Sequence, residues 1–177
     1  MKLNYPFRFL TVSVVLCLLS SITSFSNVKA TTLAEDEIKK GAEDAKQAVL
    51  FMYDFIATKD LSDSLTFNQW TTFFTSDFLW TGSQGQAPNP MGKDGFKSYR
   101  GAFKTIKASF DGVTVDHVEA SGDLAYVVYR FHEVVTSLKT NEVVKDAMTS
   151  AVVTLKKDAK GKWKIAFLAY NYNKRLI

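Results

Sequence analysis

The sequence predicts an α+β fold: three N-terminal helices packed on a strongly curved, mostly antiparallel sheet of four to six strands. Three observations carry the prediction. Apolar residues recur at helical steps of three and four as far as Ile106, and from Ser109 onward they recur at every second position. Turn residues punctuate that second half at Ser121-Gly122-Asp123, at Ser137 to Asn141 and at Asp158 to Lys162. With 46% hydrophobic and 23% charged residues over 177 positions, the chain has the make-up of an ordinary folded domain. That excludes a disordered tail and a collagenous fibre, and the length is enough to bury a core without disulfide or metal staples.

Residues 1–30 read as a cleavable signal peptide. Lys2 and Arg8 precede the apolar run Phe9 to Leu19, and Val28-Lys29-Ala30 supplies the small residue that signal peptidase reads. The run is short for a membrane span, so no stable anchor is expected after processing, and the mature domain at 31–177 is expected to be periplasmic or secreted. Removing the leader takes away Lys2, Arg8 and Lys29 and no acid, and the formal charge falls from +4 to +1. It also removes Cys17, the single cysteine. A nucleic-acid role then has no basic, aromatic-interleaved stripe to rest on. The Lys156, Lys157, Lys160, Lys162 and Lys164 cluster reads as a solvated hairpin.

The first helix is predicted from about Leu33 to Ala57. Thr32 and Glu35 form a capping box, and Ile38, Ala42, Ala45, Val49, Met52 and Ile56 make one amphipathic stripe. A second box at Thr66 and Gln69 predicts a short aromatic helix carrying Trp70, Phe73 and Phe74. Gly82 to Gly92 is rich in Gly, Pro and Gln and reads as a loop, and a third helix follows with Phe96, Tyr99, Phe103 and Ile106 on one side.

Four strands joined as a meander account for the rest. The second of them, Leu124 to Val135, puts Ala125, Val127, Tyr129, Phe131 and Glu133 on one face and Leu124, Tyr126, Val128, Arg130, His132 and Val134 on the other. The third and fourth, about Val143–Lys156 and Lys162–Asn173, are apolar on both sides. Coverage of both sheet faces is implied.

Trp70 in the second helix, Trp80 in a first strand, Gly92 ahead of the third helix, Gly122-Asp123-Leu124-Ala125 and Gly161-Lys162-Trp163-Lys164-Ile165 stand in an order that resembles the nuclear transport factor 2-like superfamily, in particular its SnoaL-like branch. The resemblance spans nearly all of residues 31–177. It implies a cone: a bent sheet wrapped over a long helix, a pocket open at one end, and a homodimer formed through the sheet's outer face. Ketosteroid isomerase, limonene epoxide hydrolase and polyketide cyclases share that fold, so fold does not choose function. Laid over the isomerase pattern, Gly82 falls where the catalytic base belongs, and glycine takes no proton.

The same resemblance implies a pocket face carrying Val127, Tyr129, Phe131 and Glu133. It directs Asp146, Met148, Ser150 and Val152 of the third strand, and Leu168 and Tyr170 of the fourth, toward the same cavity, with Tyr53, Trp80 and Tyr99 in its wall. Tyr53, Trp80, Tyr99, Tyr129, Asp146, Ser150 and Tyr170 are accordingly the ligand-binding candidates, each weighed against simple core packing. Asp146 is the candidate proton-transfer group, against a reading as an exposed strand-end acid beside Lys145. His132 and Glu133 are adjacent on a strand and cannot form a dyad. No metal is expected, with no two ligands of the His117 and His132 neighbourhoods read at i, i+2 on one face. Nucleophile, phosphate-loop and dinucleotide motifs are absent from the sequence, and no cofactor is expected. The predicted function is an exported domain that binds a small apolar or aromatic molecule. The alternatives are a cofactor-free lyase, isomerase or hydrolase using Asp146, and a dimerising interaction module.

Overall fold

The computed structural model describes residues 34–81, 89–90 and 93–174. The leader and the Thr32 cap lie outside them. Helix α1 occupies residues 34–58, and Ala45, Val49, Met52 and Tyr53 are buried along it. The apolar stripe is thus real from Ala42 onward, whereas Ile38 is 50% exposed. At Gly41 a methyl group would stand 3.4 Å from the Ala120 methyl, so the missing side chain lets the helix lie close to the sheet.

Helix α2 is Ser64–Thr71, three residues ahead of the box the sequence suggested. Its N-cap is Asp63, whose carboxylate accepts from the Thr66 amide at 2.8 Å. A carboxylate there satisfies an amide that has no partner inside the helix. Phe67 and Trp70 face the core, and Phe73 and Phe74 fall beyond the helix. Helix α3 is Lys93–Phe103, and Ile106 opens a strand instead of closing that helix.

The strands are β1 (Phe74–Thr81), β2 (Asn89–Pro90), β3 (Ile106–Ser121), β4 (Leu124–Ser137), β5 (Val143–Lys157) and β6 (Trp163–Lys174). They form one sheet in the order β2-β1-β6-β5-β4-β3. Strands β3 to β6 are the expected meander; β1 adds to β6 in parallel, and β2 is a two-residue edge inside the segment read as a loop. Proline is tolerated at such an edge. The tight turns use left-handed backbone at Gly122 (φ 59°), Asn141 (φ 57°) and Gly161 (φ 74°).

Single-residue register shifts bend the long strands. Strand β3 has one between Asp111 and Thr114 and another between Val115 and His117. In β5 the shift falls beside Val144: Thr136 pairs with Val143, but Val135 pairs with Lys145. The core lies on the concave side, where Val127, Tyr129, Phe131, Ala151, Val153 and Leu155 meet α1, α2 and β1.

Candidate functional site

The β4 facing is as expected. Val127 and Tyr129 are fully buried, Phe131 is 4% exposed, and Arg130 lies outside. The expected β5 facing is reversed. Ala147, Thr149 and Ala151 are the inward residues, and Asp146, Met148, Ser150 and Val152 lie on the outer face. An unbroken hairpin continuing the Thr136–Val143 register would set Asp146 opposite Glu133, on the inside. The extra residue at Val144 sets Ala147 there instead, and a one-residue shift moves every later side chain to the other face. Asp146 is therefore not a cavity acid. Its carboxylate accepts from His132 Nε2 at 2.7 Å on the outer face, each side chain about a third exposed. Ser150 is exposed on that face as well.

The inward carboxylate is Glu133. Its side chain is 15% exposed, the Lys145 ammonium donates to it at 2.7 Å, and the Thr149 hydroxyl donates at 3.3 Å. The same shift that turns Asp146 outward brings Lys145 inward, opposite Val135. Lys145 also stands 5.7 Å from the centre of the Tyr170 ring. Glu133 was placed on the pocket face from sequence but not nominated. Lys145 and Thr149 carried no signal of their own, because their facing depends on the bulge.

The aromatic candidates do come together. Tyr170 stacks on Trp80 at 5.8 Å with planes 9° apart, and Trp80 meets Tyr99 edge-on at 5.7 Å. Deeper in, the Tyr53 and Tyr129 hydroxyls are 3.0 Å apart, and either can donate. Burial pushes both phenols up, and for Tyr53 the neighbouring Tyr129, Glu133 and Tyr170 add to the effect. Burial and then the Glu133 charge raise Tyr99 to about 12, while its hydrogen bond with Tyr170 works the other way. These phenols hold their protons at neutral pH and act as hydrogen-bond donors. A cavity of about 50 Å³ lies here, lined by Trp70, Phe74, Phe78, Trp80, Tyr99 and Leu168. That is room for a water or two. The partly exposed inward groups, Glu133, Lys145, Trp80, Tyr99 and Tyr170, are the ones a ligand can reach.

A long helix in the concavity of a six-stranded sheet, with a parallel β1 joined to an antiparallel meander, recurs in solved structures. A ketosteroid isomerase-like protein from Erwinia carotovora atroseptica is similar at TM-score 0.56 and 22% identity, over 77% of this chain and 96% of that one. An NTF2-like protein from Pseudomonas putida is similar at TM-score 0.51 and 11% identity, over 78% and 90%. The chain has the nuclear transport factor 2-like fold. A hexachlorocyclohexane dehydrochlorinase of LinA type 3 from Novosphingobium barchaimii shares this nuclear transport factor 2-like architecture at TM-score 0.52 and 13% identity, over 72% and 86%. No family model and no curated protein matches the sequence. Identities this low fix the fold and leave the chemistry to the site.

The histidines sit on the outer face. His117 Nε2 is 3.0 Å from both Glu119 Oε1 and the Tyr126 hydroxyl. His117 and Glu119 are thus an i, i+2 pair on one strand face, which the sequence reading overlooked. Among the described residues no group of three His, Cys, Asp or Glu side chains gathers to hold a metal ion.

Proposed function

We propose that this protein is an exported, SnoaL-like domain that binds a small apolar or aromatic molecule on the inner side of its cone. The observation that carries the reading is the Glu133–Lys145–Thr149 cluster beside the Trp80–Tyr170 stack and Tyr99: a few convergent polar groups against an aromatic wall. A flat ring extends the Trp80–Tyr170 stack. A ligand oxygen accepts from a phenol or from Lys145, and Glu133 accepts from a ligand hydroxyl or amine. The solved structures of like fold support a small-molecule role in general terms, since their names include an isomerase-like protein and a dehydrochlorinase.

Catalysis is the second reading, favoured by the inward position of Glu133. A carboxylate there can take a proton from carbon while a phenol proton stabilises the developing oxyanion. Asp146 has no part in it. Export rests on the leader at 1–30, and dimerisation on the outer face, where Met148 and Val152 are 41% and 39% exposed.

Native mass spectrometry of protein purified from its own cells tests the binding reading. It predicts a small species that survives gentle desolvation and dissociates on activation. Uniformly ligand-free protein that also fails to bind any member of an aromatic library would overturn it.

A further inference from the structure

We propose a second site, separate from the cone interior: a groove on the helical side that takes a small anion with a flat apolar body. Along α1, Asp44, Ala48, Phe51 and Phe55 form one wall at steps of four, three and four. Gln69, Thr72 and Phe73 from the end of α2, and Gly161 to Lys164 from the β5–β6 hairpin, form the other. The space between is about 520 Å³, within the range of about 300–1,000 Å³ typical of small-molecule sites.

The walls are preformed. Phe73 holds Phe51 edge-on at 5.7 Å and Phe55 at 5.4 Å. Trp163 is braced by the Lys157 ammonium, 4.8 Å from its ring centre. The Lys164 ammonium donates to the Thr72 carbonyl and ties the hairpin to the end of α2. Phe51 is nonetheless 61% exposed. A large ring kept in an aromatic cluster but left open to water, at the lip of a groove, marks a surface that gains by being covered.

Charge selects the occupant. Among the lining residues one acid, Asp44, stands against Lys162 and Lys164. Lys160 adds to the positive rim, Lys157 is paired with Asp123 at 4.0 Å, and Asp158 offsets one of these positive charges. Its carboxylate is committed to the Lys160 and Lys162 amides at 2.9 and 3.0 Å, and those bonds keep it below the usual carboxylate range. The lysine cluster read from sequence as a solvated turn thus borders a concave aromatic surface. A free aryl carboxylate or sulfonate fits: its ring lies between Phe51 and Trp163 and its anionic group meets Lys162.

Titration of the protein with 2-naphthoate, followed by calorimetry, tests the site. Saturable one-to-one binding is expected, weakened about tenfold by Phe51→Ser through lost ring burial and about fivefold by Lys162→Glu. Neutral naphthalene-2-carboxamide should bind more weakly than naphthoate. Phe51 and Lys162 are exposed, so both variants are expected to fold, which circular dichroism checks. No saturable binding overturns the proposal. So does binding lost with Tyr170→Phe and indifferent to Phe51→Ser, a result that would instead place the probe at the interior site.

Discussion

Removing one hydroxyl from the Tyr53–Tyr129 pair should cost more than removing both. The two oxygens are 3.0 Å apart, and the residues are 7% and 0% exposed. In Tyr53→Phe the ring survives, so its contacts at 5.4 Å with Phe110 and 5.1 Å with Phe131 are kept, but the Tyr129 hydroxyl is left buried without its partner. A buried polar group stripped of its bond costs about 1–3 kcal/mol. Tyr129→Phe should cost a similar amount. The double variant leaves neither hydroxyl behind and should lose under about 1 kcal/mol. The coupling between the two sites is therefore expected at about 1 kcal/mol or more, roughly 3 kcal/mol at mid-range, measured by urea unfolding followed through tryptophan fluorescence. Strictly additive losses would refute the reasoning, because they would mean that each hydroxyl is satisfied independently.

Three further outcomes are expected. In alkaline titration Tyr99 should ionise near pH 12; since its folded pKa lies above the unfolded value of about 10, its contribution to stability is complete below about pH 10 and is lost as the pH rises toward 12, so tyrosinate absorbance and unfolding should rise together. Asp63→Ala should lower Tm at neutral pH; the Thr66 amide bond depresses the Asp63 carboxyl, so its contribution is present above the unfolded pKa of about 3.9 and fades as the pH falls through the folded one, and the gap between the two proteins' Tm values should close in acid. Met148→Lys with Val152→Lys, both on the outer sheet face, should convert a dimer to monomer in light scattering with the circular dichroism spectrum unchanged; a monomeric parent protein would count against the outer-face interface.

The helices and the β4 facing were legible because composition differs between their faces. On β4 the inner side carries Val127, Tyr129 and Phe131, while the outer side carries Arg130 and His132. Strand β5 offers the opposite cue. Its inner residues Ala147, Thr149 and Ala151 are small, and the bulkier Met148 and Val152 point out. The reason lies across the strand: Tyr129 pairs with Ala151 and Phe131 with Thr149, so large β4 rings are matched by small β5 side chains. That complementarity was a usable signal once β4 was oriented. The bulge at Val144, which exchanges Asp146 for Lys145 on the inner face, has no local sequence mark. Nor has the parallel pairing of β1 with β6, which depends on how the helices return the chain to the sheet. At α2 two caps competed, and Asp63 prevailed over Thr66 because a carboxylate accepts more strongly than a hydroxyl.

The most direct test is to ask which carboxylate faces the ligand. Glu133→Gln and Asp146→Asn remove the same charge from opposite faces of neighbouring strands, and the small molecule retained by each purified protein can be weighed in the native state. Loss of that species from the Glu133 variant, with the Asp146 variant retaining it as the parent does, is the predicted result. Retention by the Glu133 variant and loss from the Asp146 variant would contradict the account.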